Sequence, residues 1–101
     1  MSRRLQLQAK LEELLGSRNV YYQPPESLKM EYPAIRYSKS TISSRHADNM
    51  KYSNLTRYEI IVIDKRPDNE TIQKILNLPY ASYDRHYAAN NLNHDVLSIY
   101  Y

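Results

Sequence analysis

Four consecutive β-branched residues, Ile60-Ile61-Val62-Ile63, constrain this chain more than any other feature. Branching at Cβ restricts the side chain in a helix and fits it to a pleated, packed surface. A continuous apolar run, rather than an alternating one, marks a central strand covered on both faces. The strand is expected over 55–64, and the rest of the chain has to supply neighbours and a covering layer. Past it, Pro67 punctuates, Asp68 is a natural N-cap, and Ile72, Ile75 and Leu76 fall at helical spacing. They predict a short helix over 69–77 that Pro79 ends.

A longer helix is expected over 3–15. Leu5, Leu7, Leu11, Leu14 and Leu15 lie mainly on one face, and Gly16, the chain's single glycine, stands where a left-handed residue would stop the helix. Val20-Tyr21-Tyr22 reads as a short strand stopped by Pro24-Pro25, with Gln23 pushed toward extended geometry. A second strand is expected over 33–38, with Ile35 and Tyr37 on one face and Ala34, Arg36 and Ser38 on the other. Two Tyr-rich strands, 80–87 and 93–101, flank Asn90-Asn91, whose tolerance of positive φ suits a tight hairpin. The stretch 39–54 is polar and unusually long for a connection inside one domain. With both arms extended it would project about 25 Å.

The order α-β-β-long loop-β-α-β-β predicts an α+β fold: an antiparallel sheet of four to five strands with two helices packed on it. At 101 residues there is one domain, 1–101, and one modest core. The aromatic class consists of eleven Tyr with no Phe and no Trp. The core should therefore lean on Leu, Ile and Val, with many tyrosines half-exposed at subunit contacts or in strands.

Composition closes several routes to chemistry. Without cysteine there is no disulfide, thiolate metal site or cysteine nucleophile. One glycine that ends a helix leaves no phosphate-cradling loop. No apolar run approaches the roughly 20 residues that span a bilayer, and the first residues are too polar for a signal peptide, so a cytoplasmic chain is expected. The net charge of +3 is uneven: residues 1–57 carry ten Lys/Arg against five Asp/Glu, and residues 58–101 carry four against six. No dense basic block accompanies it.

The remaining candidates are histidines. His86 and His94 flank the hairpin and would make a metal or general-base site with Asp84 or Asp95 if they faced each other. Alternation along a strand argues against that convergence, and mutual cross-strand satisfaction is the commoner outcome. His46 and Asp48 have no further ligand nearby. The sequons at Asn54 and Asn69 have no meaning in a cytoplasm. No catalytic residue, metal ligand or cofactor is expected, and the chain reads as a non-enzyme. A different class, a small nucleic-acid-binding module, would stack bases on Tyr83, Tyr87, Tyr100 and Tyr101, although the usual glycine- and aromatic-containing strand motif is missing.

Four stretches carry a family resemblance: Gly16 to Pro25 with Glu26, Tyr32-Pro33-Ala34-Ile35-Arg36-Tyr37, Tyr58 to Asp68, and Leu78 to Tyr87 continuing through Asn90 to His94. Together they resemble a family of short siphophage virion proteins, of the tail-terminator or tail-completion kind at the head–tail joint. The resemblance spans nearly everything except 39–54. It implies a homo-oligomeric ring, hexameric in tail terminators, that caps the tail tube and meets the head connector or head-completion protein. It places the protein in the virion, and in the host cytoplasm during assembly. On that reading Lys39, Arg45, His46, Lys51 and Tyr52 are candidate contacts with partners or with DNA crossing the lumen without sequence specificity. Tyr83, Tyr87, Tyr100 and Tyr101 are candidate subunit contacts.

Overall fold

A computed structural model describes residues 3–25, 27–40 and 56–101. The elements are α1 (Arg3–Leu15), β1 (Val20–Tyr22), β2 (Ala34–Lys39), β3 (Arg57–Asp64), α2 (Thr71–Leu76), β4 (Ala81–Ala89) and β5 (Leu92–Tyr100). They form one five-stranded sheet in the order β1-β2-β3-β5-β4, with two helices on one face. The α+β class and the element order are those expected from the residues.

The β-branched strand is central, antiparallel to β2 on one side and to β5 on the other. Its two faces are unequally covered. Tyr58, Ile60 and Val62 enter the helix-side core with Ile35, Tyr37, Leu97 and Ile99, under Leu7 and Leu11 of α1 and Ile75 of α2. On the opposite face Ile63 is buried and Ile61 only half-buried.

One pairing departs from the expected antiparallel sheet: β1 runs parallel to β2, with Val20 beside Ile35 and Tyr22 beside Tyr37. A parallel neighbour needs a return connection, and residues 23–33 supply it. Gln23 is not extended but left-handed, with φ of 43°, while its N–H still donates to Tyr37 O at 2.9 Å. This ladder bond outweighs the local pre-proline preference.

Two tyrosines substitute for the missing Phe. Tyr37 and Tyr58 are 1% and 6% exposed, with ring centroids 6.1 Å apart. The Tyr37 hydroxyl donates to Gln8 Oε1 and accepts from Arg4 Nη1 at 3.3 Å. Burial pushes the Tyr37 hydroxyl above the ordinary tyrosine value, and Arg4 opposes the shift. Burial also raises Tyr58. A buried Tyr thus takes the role of a Phe where α1 delivers a polar partner to its tip.

Helix ends follow local rules with two corrections. Gly16 has φ of 81° and its N–H reaches Glu12 O at 2.9 Å, closing α1 as expected. Leu5, however, is 45% exposed, so the apolar stripe starts at Leu7. Helix α2 is shorter than expected, and Asp68 does not cap it. Instead Asn69 Oδ1 accepts the Thr71 N–H at 2.8 Å while Asn69 Nδ2 donates to Asp64 Oδ2 at 2.8 Å. A residue that can both accept and donate bridges helix and strand, which a carboxylate cannot. The hairpin is tighter than expected: β4 reaches Ala89, β5 begins at Leu92, and Asn90 and Asn91, with φ of 54° and 63°, make a two-residue turn.

Candidate functional site

The last two strands decide where the candidate side chains go. In an antiparallel pair, directly opposed residues share a face. Tyr83 opposes Leu97, a core residue, so it lies on the helix face. A bulge between Tyr83 and Arg85 inserts one extra residue, and beyond it Tyr87 opposes His94 on the other face. The bulge therefore splits the tyrosines that the sequence placed together. Tyr100 lies on the same face as Tyr87, and Tyr101 is half-buried against the helix-side core.

The same geometry separates the histidines. His86 opposes Asp95 and His94 opposes Tyr87, so the two imidazoles occupy opposite faces. His86 Nε2 lies 3.1 Å from Asn93 Oδ1. His94 stacks on Tyr87 with centroids 4.6 Å apart and planes 10° from parallel, and its Nδ1 sits 3.2 Å from Leu92 O. Asp84 pairs with Arg85 at 2.7 Å, and Asp95 accepts the Tyr83 hydroxyl at 2.8 Å. The hydrogen bond to Asp95 raises Tyr83 above the ordinary tyrosine value. Among the described residues no three His, Asp or Glu gather as metal ligands. Each described candidate thus has a local partner: a cross-strand or adjacent side chain or, for His94, a carbonyl of its own strand.

What the described surface offers is apolar ground. A groove of about 380 Å³ is lined by Arg3 and Gln6 of α1, by Leu78, Pro79 and Tyr80 ahead of β4, and by Ile99, Tyr100 and Tyr101. Tyr80 is 44% exposed and left-handed, with φ of 63°, a conformation a Tyr adopts only when its surroundings impose it. At the other side of the sheet, the β1–β2 connection exposes Leu28 and Tyr32 at 42% and 37%. There Pro24, Pro25, Leu28, Met30 and Arg36 line a second, smaller hollow of about 210 Å³. The sequence reads Tyr80 as the first residue of a strand, which begins instead at Ala81, and the 23–33 connection only as punctuation. Their signal was present, in Leu28, Met30, Tyr32 and Tyr80 set among prolines, but only the fold shows which of them stay uncovered.

Of the candidate lumen contacts, Lys39 is exposed at the end of β2, one residue inside a strand rather than at the start of the loop. Arg45, His46, Lys51 and Tyr52, with the rest of the 39–54 loop past Ser40, lie outside the described residues. No helix among the described residues is long and apolar enough to cross a membrane.

No protein-family model, no curated protein and no solved structure matches the chain.

Proposed function

We propose that this chain is a structural virion protein of a long-tailed bacteriophage. It is one subunit of a homo-oligomeric ring at the head–tail interface, ending the tail tube and joining it to the head connector. It works by contact, without turnover and without a cofactor.

The observation that carries this reading is a pair of unlike exposed surfaces, one apolar and one mixed, each with large uncovered side chains. One is the groove at Leu78, Tyr80 and Tyr101, and the other is the Pro-rich connection with Leu28 and Tyr32. A closed ring is built from heterologous contacts, in which one patch of a subunit meets a different patch of the next. A monomer gains nothing from keeping two such patches wet. The resemblance of the 16–26, 32–37, 58–68 and 78–94 segments to siphophage tail-terminator or tail-completion proteins supports a place at the head–tail joint. The division of Tyr83 and Tyr87 between two faces breaks up the four-tyrosine platform on which a nucleic-acid module would stack bases.

The test is assembly. Negative-stain images and light scattering of the purified chain, alone and with tail-tube protein, are expected to show closed rings. Tyr80→Asp and Leu28→Asp, each placing a charge on one patch, are expected to abolish them. A chain that stays monomeric even on tail tubes overturns the ring.

A further inference from the structure

The sheet has two ends, and only one is closed. At the β1 end, Asn19 and Gln23 face β2, because Ile35 N–H donates to Asn19 O and Gln23 N–H donates to Tyr37 O. Val20 and Tyr22 therefore carry the outward backbone groups, and both groups of Val20 are occupied. Its N–H donates to Arg18 O at 2.8 Å, and its C=O accepts from Gln8 Nε2 at 2.9 Å. Left-handed Gln23 and Pro24-Pro25 then end the strand. The strand is only three residues long, so this edge offers little for another strand to pair with.

Strand β4 is the reverse case. It is nine residues long, pairs only with β5 among the described residues, and leaves seven of its nine residues exposed. An edge of this length presents outward N–H and C=O groups that a further strand would satisfy. Its residue order is self-complementary. Set antiparallel against itself about a two-fold axis between positions 84 and 85, Asp84 opposes Arg85 of the second copy, twice. Tyr83 then opposes His86, Ser82 opposes Tyr87, and Ala81 opposes Ala88. The bulge makes these pairs consistent: Tyr83 and His86 both lie on the helix face, and Ser82 and Tyr87 both lie on the other. Without it each pair would point its two side chains to opposite faces.

We propose that the outer edge of β4 is a self-association surface that takes β4 of a second copy of this chain, antiparallel, with the two-fold axis between Asp84 and Arg85. Two five-stranded sheets then run on as one. The Asp84–Arg85 pair, formed within each chain at 2.7 Å, is exchanged for two pairs across the axis. Such a two-fold contact uses the same patch on both subunits. It is thus separate from the head-to-tail contact of the ring and does not depend on it.

Charge exchange tests it. Asp84→Arg places Arg opposite Arg in the pair, and Arg85→Asp places Asp opposite Asp, so each variant alone is expected to lose the two-fold contact. Light scattering should then show the mass of the wild-type particle fall by half, to the 12.0 kDa chain where the pair is the whole particle. Mixed together, the two variants restore opposite charges at both positions, and the wild-type mass is expected to return. The chain has no cysteine, so Ser82→Cys combined with Tyr87→Cys is expected to oxidise to a covalent dimer. Five residues apart on one strand, those two sulfurs are about 17 Å from each other within a chain and cannot close on themselves. A monomeric wild type, or a covalent dimer that fails to form, overturns the edge contact. Rings that survive both charge variants with unchanged mass also overturn it, while leaving the ring standing.

Discussion

The two edges of this sheet are built on opposite plans. β1 is three residues long and held under α1: Gln8 reaches its carbonyl, Arg4 lies 4.4 Å over the Tyr22 ring, and Tyr22 packs 4.9 Å from Tyr37. β4 is nine residues long, almost wholly exposed, and carries its polar pairs on its own surface. Both edges are strands of one sheet, yet one belongs to the core and the other to the surface. An edge is made safe by side chains that satisfy its backbone, and length alone makes it neither sticky nor inert.

If the closed edge is part of the core, the largest effect should come from its anchor. Tyr37→Ala removes a fully buried ring and the partner of both Gln8 and Arg4, and is expected to cost about 3–5 kcal/mol in urea unfolding. Next comes Gln8→Ala, which strips the Val20 carbonyl of its donor and the Tyr37 hydroxyl of its acceptor. A loss of about 1–3 kcal/mol is expected, with faster amide exchange at Tyr21 and Tyr22. A loss no larger than that of a surface substitution would mean that the β1 edge is closed by something other than this side chain. Gly16→Ala, where α1 turns toward β1, meets no atom within 4 Å and tests the backbone alone. With φ of 81° it should cost about 1 kcal/mol. At the open edge, Ser82→Ala should stay within about 0.5 kcal/mol in the same assay.

pH sharpens the contrast further. Tyr37, Tyr58 and Tyr83 are all raised in the fold, the first two by burial and Tyr83 mainly by its bond to Asp95. A raised tyrosine favours the neutral hydroxyl in the native state. Its contribution is complete below the unfolded value near 10 and is lost as pH rises through the higher folded value. Stability is therefore expected to fall in alkali above about pH 10. Tyr37→Phe should flatten that fall more than Tyr83→Phe, because Tyr83 is 45% exposed and water screens its hydrogen bond to Asp95.

Much of this architecture was legible in the residues because local rules were decisive there. Ile60–Ile63 could only be a central strand, Gly16 could only end a helix, and Asn90-Asn91 could close a hairpin without strain. The candidate surface was less legible. The Tyr83–Tyr87 spacing reads as one face by alternation, and a bulge, a one-residue change in pairing, sends them to two. Leu5 counts with the other leucines by composition, but at about 100° per residue it lies off the face shared by Leu7, Leu11 and Leu14, and it is exposed. Tyr80 gives no local sign of a positive φ, which is imposed by the turn between α2 and β4.

By itself the sequence determined the α+β class, the order of elements, the central strand and the absence of any cysteine chemistry. These depend on residue type and short-range periodicity, which the chain carries locally. Only the tertiary structure decided that β1 runs parallel to β2, that Tyr37 and Tyr58 do the work of Phe, and that one edge of the sheet is closed while β4 stays open. Those outcomes rest on which strand lies beside which, and on a glutamine twelve residues from the carbonyl it satisfies. Such contacts exist only once the chain is folded.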